Sequence, residues 1–219
     1  DLFAGACDAF FAAISLQCIS GCSSFILLNL QHSKGFLVGI CVPGAGEAVN
    51  GTILNPGDIF DYNKVVGERT TARGYGAAAT YVNGQTVDTV GGGICQTSST
   101  LYYACLLGDL EITERYARRY VPAYIDWGMD ATVSWGGPDY KFTNQYEYPI
   151  KIVTEYSKGY LTVKILGTNV DGRYAKVTNE QLSTTPWETV YEEDPLLPVG
   201  TPETVKTTPY TGYKVKTYH

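Results

Sequence analysis

A run of three glycines, Gly91-Gly92-Gly93, separates a predicted β-hairpin from a predicted helix and limits how the chain can be arranged around it. Residues 79–82 and 86–90 are predicted strands, and they are joined across Asn83-Gly84, a pair typical of tight hairpin turns. Glycine adopts backbone conformations that other residues avoid, and it lets two backbones approach closely. We therefore predict a sharp connection from the hairpin into the helix that follows.

The predicted helix covers residues 98–107. Ser98 and Ser99 are residue types that favour the cap or the first turn of a helix, and Gly108 is typical of a helix end. Four apolar residues are spaced so that they can face a core: Leu101, Ala104, Cys105 and Leu107.

The remaining apolar runs predict short strands, at residues 52–54, 110–113, 120–125, 131–134, 150–155 and 161–166. We therefore predict an α+β fold, a mixed and strand-rich single domain over residues 49–167 whose helix follows the Gly-Gly-Gly-Ile-Cys loop. Residues 168–219 are rich in Thr, Pro, Tyr and Glu. They predict a small β-rich C-terminal appendage or a linker, with strands at 189–191 and 213–217.

Residues 1–48 differ from the rest, because they carry only four charged side chains: Asp1, Asp8, Lys34 and Glu47. The apolar stretch over residues 2–30 is long enough to span a bilayer. Against an anchor, Asp8 lies inside the stretch and no basic cluster flanks it. We favour a buried or poorly specified segment first, a mis-joined start second and a membrane anchor third.

Composition excludes several functions. The chain of 219 residues has a net charge of −6, which argues against nucleic acid as a partner. Histidine occurs only at His32 and His219. Cysteines crowd the N-terminal part rather than spreading as a disulfide framework would, and their spacing is not that of known zinc sites. We predict no metal and no cofactor. The six cysteines are Cys7, Cys18, Cys22, Cys41, Cys95 and Cys105.

Cys95 lies where a thiolate nucleophile would be expected, after the glycines and before the predicted helix. Unpaired N–H groups at a helix N-terminus stabilise a thiolate, and backbone donors near Gly92 and Gly93 could form an oxyanion site for acyl transfer. The other interpretation is a tight turn whose cysteine is buried as a small hydrophobic residue, as we expect for Cys105. The residues alone leave both open for Cys95.

Several blocks resemble the VanW family, and the similarity covers residues 49–167. The most specific block is Gly91-Gly92-Gly93-Ile94-Cys95-Gln96, which continues to residue 102. The others are residues 50–60, 66–70, 73–75, 114–115 and 128–133. Family members are mostly extracytoplasmic proteins of Gram-positive bacteria, named for a gene of vancomycin-resistance clusters and often membrane-anchored. The tail after residue 175 is similar, more weakly, to sequence that leads into G5-type wall modules.

The resemblance implies peptidoglycan stem peptides as the partner and L,D-transpeptidase-type chemistry, with Cys95 as nucleophile. Cys95 would attack the carbonyl of residue three of a tetrapeptide stem, release D-Ala and pass the acyl group to a neighbouring stem as a 3–3 cross-link. The residues expected to support the reaction or bind substrate are Gly92, Gly93, Gln96, Ser98, Arg69, Arg115, Arg118 and Asp130.

The chain departs from the family at one position, because Arg118 stands where the family often has a histidine. Arginine is a poor general base. Either Asp130 or Glu114 serves as the base, or the protein is weakened or inactive as an enzyme. The alternatives are a non-catalytic wall-binding or resistance accessory module, and hydrolysis of stem peptides with water as acceptor. A structural ion pair is also open for four residues: Arg69, Arg73, Arg115 and Asp130.

Overall fold

The computed structural model describes residues 30–32, 38–82, 85–119, 124–157, 159–169, 175–189, 196, 198, 200 and 210–219. Its helices are α1 (Val38–Val49), α2 (Tyr62–Val66) and α3 (Ile94–Leu107), with a short 3-10 turn at Thr71–Arg73. Its strands are β1 (Leu30–His32), β2 (Ile53–Leu54), β3 (Ile59–Asp61), β4 (Ala77–Val82), β5 (Gln85–Val90), β6 (Glu111–Glu114), β7 (Lys141–Thr143), β8 (Ile150–Ser157), β9 (Tyr160–Leu166), β10 (Thr178–Thr185) and β11 (Gly212–Tyr218).

A four-stranded antiparallel sheet in the order β1-β9-β8-β2 carries the main core. Buried residues alternate with less buried ones along β9 and at the start of β8, as expected for strands with one face on a core. Helices α1 and α3 pack against this sheet and against each other. The inward residues are Ile150, Ile152, Leu161, Val163 and Ile165. The mixed α+β fold predicted from the sequence is confirmed.

Helix α1 extends across the division that the sequence suggested between residues 48 and 49. Cys41 and Ala45 are fully buried, and the Gly46 carbonyl accepts a hydrogen bond from Thr154 Oγ1 of β8 at 2.8 Å. The helix therefore belongs to the same core as the sheet. In the described part of the chain, no helix combines the length and the apolar character needed to cross a membrane. The expectations for residues 1–29 lie outside the described residues.

A three-stranded sheet in the order β3-β7-β6 forms the second layer of the core. The rings of Phe60 and Phe142 stack across it with centroids 4.9 Å apart, and both side chains are buried. Asp61 caps α2, because its Oδ1 accepts the Lys64 N–H at 2.8 Å.

The hairpin β4–β5 has the predicted pairing, with Ala77 opposite Val90 and Val82 opposite Gln85. Gly92 then lies against it so closely that an added Cβ would be 2.2 Å from the Ala78 carbonyl oxygen. Only glycine fits there, so the predicted sharp connection is present.

Two strand predictions within residues 49–167 need correction. Residues 131–134, predicted as a strand, are not in a sheet, because their backbone bonds go to α3 hydroxyls and to a turn in which Ser134 N–H donates to Pro138 O at 2.9 Å. Tyr124 and Ile125 are also outside any strand, and residues 120–123 of that prediction lie outside the described residues.

The C-terminal region forms a second hairpin, from β10 to β11, with a bulge between Gln181 and Ser183. The predicted strand at 213–217 is confirmed, and its partner β10 was not predicted. Thr189 is not in a strand, and residues 190–191 lie outside the described residues. Every residue of β10 is exposed.

Candidate functional site

Cys95 is the second residue of α3 and not a residue of the preceding loop, because the helix begins four residues earlier than predicted. Gly93, with φ of +90°, takes the cap position without a side chain. The Ile94 and Gln96 N–H groups donate to Gly91 O and Gly93 O. Within the described part of the chain, the Cys95 N–H makes no hydrogen bond. The first turn of α3 therefore presents a thiol together with an unpaired backbone donor.

The thiol is half-buried, and it faces the segment that follows Asp130. Cys95 Sγ lies 3.4 Å from Val133 O, in position to donate a weak hydrogen bond. Cys105 lies further along α3 and is fully buried. Burial raises its pKa well above the usual range. The two cysteines of α3 thus have different surroundings, and the burial predicted for Cys105 is confirmed.

The hydroxyls after Cys95 bind α3 to the neighbouring segment and do not cap the helix. Ser98 Oγ donates to Ala131 O at 2.8 Å, and Ser99 Oγ accepts the Ala131 N–H at 3.0 Å. Ser99 Oγ also lies 2.7 Å from Cys95 O. Gln96, the next candidate, is 5% exposed. The capping role predicted for Ser98 and Ser99 was wrong because it followed from the late helix start.

Asp130 joins two of the predicted arginines. Its carboxylate accepts Arg115 Nη2 at 3.0 Å through Oδ1 and the Arg118 backbone N–H at 2.5 Å through Oδ2. Arg115 Nε also donates to Asp130 O at 2.6 Å. The Arg115 guanidinium lies 5.2 Å from the centre of the Tyr102 ring. Both carboxylate oxygens of Asp130 are engaged, which favours its structural role over that of a base.

Arg118 forms a pair with Tyr124, a residue that the sequence analysis did not single out. Arg118 Nη1 donates to the Tyr124 hydroxyl. Burial raises the pKa of Tyr124 to about 12, although the Arg118 guanidinium acts in the opposite direction. Burial alone would lower the pKa of Arg118, but its interactions with Tyr124, Cys95 and Asp130 more than offset this and raise it. Arg118 and Tyr124 are thus electrostatic neighbours of Cys95.

Arg69 lies on the other side of the glycine turn. A Cβ added to Gly91 would be 2.9 Å from Arg69 Cβ, so the arginine stem packs on the turn. Its Nη1 donates to Asn63 Oδ1 at 2.7 Å, and its guanidinium carbon lies 5.6 Å from the centre of the Tyr62 ring. Arg69 therefore stabilises the turn that precedes Cys95. Arg73 donates to Glu68 O at 2.6 Å and packs against Gly67.

The other predicted bases are engaged elsewhere. Glu114 forms an ion pair with Lys141 at 2.9 Å, and Lys141 also lies 3.6 Å from Asp61. His219 Nδ1 lies 3.1 Å from Asp109 Oδ1. In the described part of the chain no histidine bonds to Cys95, and no three His, Cys, Asp or Glu side chains are grouped to hold a metal.

The glycine turn, the cysteine in the first helical turn and the paired Arg115–Asp130 define the class of domain that the sequence resemblance suggested. The sequence profile described as VanW like protein matches residues 42–166, and this chain belongs to that family. The match starts within α1, seven residues before the domain start predicted from the sequence.

Two curated relatives have similar sequences. The chain is 40% identical over 126 residues to the uncharacterized protein YoaR of Bacillus subtilis, covering 58% of this chain and 42% of YoaR. It is 29% identical over 113 residues to the vancomycin B-type resistance protein VanW of Enterococcus faecalis, covering 49% of this chain and 41% of that protein. The chain thus spans less than half the length of each relative. No solved structure matches it.

Proposed function

We propose that this chain transfers acyl groups between peptidoglycan stem peptides at the cell surface, outside the cytoplasm, with Cys95 as the nucleophile. The observation that carries the proposal is the position of Cys95 in the first turn of α3, half-buried and beside an unpaired backbone N–H. A thiol in such a place has a donor close to the carbonyl that it would attack. Arg118 is an electrostatic neighbour of Cys95 and could bind an oxyanion formed there.

The reaction has two steps. The Cys95 thiolate attacks the carbonyl carbon of residue three in a tetrapeptide stem, the C–N bond breaks, and D-Ala leaves as an amine after taking up a proton. The side-chain amine of a neighbouring stem then attacks the thioester, the C–S bond breaks, and the amine loses a proton. The thiolate is restored, and the two stems are joined by a 3–3 cross-link.

The surrounding residues have separate roles in this proposal. Arg118 stabilises the oxyanion, and the Tyr124 hydroxyl, which stays protonated at neutral pH, can donate a hydrogen bond to the leaving amine. Arg115 and Asp130 fix the backbone of Arg118. Gly92 allows the close approach of the turn to β4 that places Cys95.

The test is incubation with purified disaccharide-tetrapeptide, followed by mass spectrometry of the products. We expect dimers and released D-Ala from the wild type and from Cys105→Ala, a control that removes the other thiol of α3. Cys95→Ala should give neither. Equal inactivity of the wild type and Cys95→Ala would contradict the enzyme proposal, and D-Ala without dimers would indicate hydrolysis instead.

A second candidate function is a non-catalytic peptidoglycan-binding or glycopeptide-resistance accessory protein. The observation that favours it is the engagement of Asp130 with Arg115 and of Glu114 with Lys141, which leaves neither carboxylate unpaired to act as a base. Co-sedimentation with purified peptidoglycan measures it. Binding retained by Cys95→Ala, with no turnover by the wild type, would support this role.

A further inference from the structure

The C-terminal hairpin contacts the domain at two adjacent residues, Trp127 and Gly128. Thr217 Oγ1 donates to Gly128 O at 2.9 Å, and Asn179 Nδ2 donates to Trp127 O at 3.1 Å. The Trp127 and Tyr213 rings have centroids 4.0 Å apart. Both strands of the hairpin therefore contribute to one docking point.

One face of β11 makes this contact. Val215 and Thr217 are half-buried, whereas Lys214 and Lys216, between and beside them, are exposed. Gly128 has φ of +77°, and an added Cβ would be 2.3 Å from Thr217 Oγ1. The glycine thus provides both the backbone conformation and the space for close docking.

The docking point lies within the segment that forms one wall of the Cys95 site. Tyr124, three residues before Trp127, receives a hydrogen bond from Arg118. Asp130, two residues after Gly128, binds Arg115 and the Arg118 N–H. Residues 124–130 contain no helix or strand, so few bonds of their own hold this wall in place.

We infer that the β10–β11 hairpin is a positioning element of the site: Thr217 and Asn179 hold residues 127–128 and thereby keep Arg118 and Tyr124 beside the Cys95 thiol. A two-stranded hairpin is only marginally stable alone, so a small number of contacts decides whether it stays docked. The effect on turnover rests on the proposed function, whereas the placement of charge at Cys95 does not.

The test compares the alkylation of Cys95 by iodoacetate and by iodoacetamide. The two reagents attack the same thiolate and are similar in size, so the ratio of their rate constants reports the local charge and not the accessibility. A unit positive charge several ångströms away changes such a ratio by about 3- to 10-fold. Arg118→Gln calibrates the assay, because it removes the charge itself.

The hairpin variant is Asn179→Ala with Thr217→Val. We expect its iodoacetate preference to fall by about 3-fold or more, toward that of Arg118→Gln, with faster amide hydrogen exchange in residues 124–130. The single substitution Thr217→Ser, with Asn179 unchanged, keeps the hydroxyl and should retain the wild-type ratio of the two alkylation rates. Lys214→Ala, on the exposed face of β11, is the matched control and should also retain it.

The outcomes separate this inference from the proposed function. An unchanged ratio and unchanged exchange in the Asn179→Ala, Thr217→Val variant would overturn the positioning role, whatever the turnover. A lowered ratio in a protein whose wild type forms no dimers would support the positioning role and contradict the transpeptidase proposal. If the positioning role and the transpeptidase proposal both hold, dimer formation and the alkylation ratio should fall together in the Asn179→Ala, Thr217→Val variant. Both should return in the Thr217→Ser variant.

Discussion

The two sides of Cys95 are built differently. On one side lies α3, whose residues 96–102 are all buried and whose Ser98 and Ser99 hydroxyls bind the neighbouring backbone. On the other side lies the irregular segment that carries Arg118, Tyr124 and the hairpin contact. The proposed nucleophile therefore belongs to a helix of the buried core, whereas its charged neighbours belong to a segment held by a few hydrogen bonds.

Because of this difference, we expect the free energy of unfolding and the reactivity of the Cys95 thiol to depend on different residues. Changes to the apolar core should lower the free energy of unfolding without altering the charge around the thiol in the molecules that remain folded. Changes to the irregular segment should alter the charge around the thiol, with a smaller effect on the free energy of unfolding. Four substitutions, taken in order of decreasing effect, test whether stability and the charge around the thiol depend on different residues.

Leu101→Ala should have the largest effect on stability. Leu101 is 0% exposed in the middle of α3, and a leucine-to-alanine change in a core lowers the free energy of unfolding by about 2–5 kcal/mol. Denaturant titration measures this loss. The ratio of iodoacetate to iodoacetamide rates in the folded protein should stay at the wild-type value, and a change in it would break the separation.

Asp130→Asn should affect both properties, because Asp130 lies where the two sides meet. The change removes a charged partner from Arg115 and weakens the bond from the Arg118 N–H. Hydrogen bonds to charged groups contribute about 1.5–3 kcal/mol, and we expect a loss of that order in the free energy of unfolding. The free energy of unfolding from denaturant titration and the alkylation ratio, measured on the same sample, should both decrease.

The raised pKa of Tyr124 predicts a loss of stability at high pH. Its pKa is raised to about 12 in the folded protein, because burial disfavours the phenolate. Between about pH 10 and pH 12 the unfolded chain releases this proton while the folded protein keeps it, so the stabilisation is complete below the unfolded value and is lost as pH rises. Over this range, the free energy of unfolding of Tyr124→Phe should fall by about 1–2 kcal/mol less than that of the wild type. Parallel pH–stability curves would contradict the buried position of Tyr124.

Glu155→Gln should have the smallest effect. Glu155 is exposed on β8 and lies 4.0 Å from Lys164, and exposed ion pairs contribute about 0–1 kcal/mol. We expect the free energy of unfolding to change by less than about 0.5 kcal/mol, with no change in the alkylation ratio. A larger loss would mean that the stability of the sheet side depends on surface charge as well as on the apolar core.

The elements predicted correctly are those with local signals. The strands of the hairpin β4–β5 flank the sequence Asn83-Gly84, β8 and β9 carry apolar runs, and α3 ends before Gly108 as expected. Helix α1 was not predicted, because Pro43 and three glycines weaken its helical pattern and its stability comes from packing on the sheet.

The surroundings of Cys95 were predicted only in part, for a related physical reason. The start of α3 was placed late because Gly93 caps the helix through its backbone conformation and supplies no side-chain signal. The hairpin contact at Gly128 was missed because it joins residues 89 positions apart in the chain, in the bond from Thr217 to Gly128. Tyr124 was missed because its bond with Arg118 lies in an irregular segment, where no periodic pattern indicates which side chains meet. Such pairings follow from tertiary packing and leave no local pattern.

The most direct test of the central claim is to trap the acyl group on the protein. The wild type and Cys95→Ala would each be mixed briefly with a tetrapeptide stem that lacks an acceptor amine, quenched in acid and mapped by peptide mass spectrometry. We predict an adduct with the mass of the stem after loss of D-Ala, carried by Cys95 and absent from Cys95→Ala. An adduct on another residue, or no adduct together with no released D-Ala, would contradict the claim that Cys95 is the nucleophile of an acyl transfer.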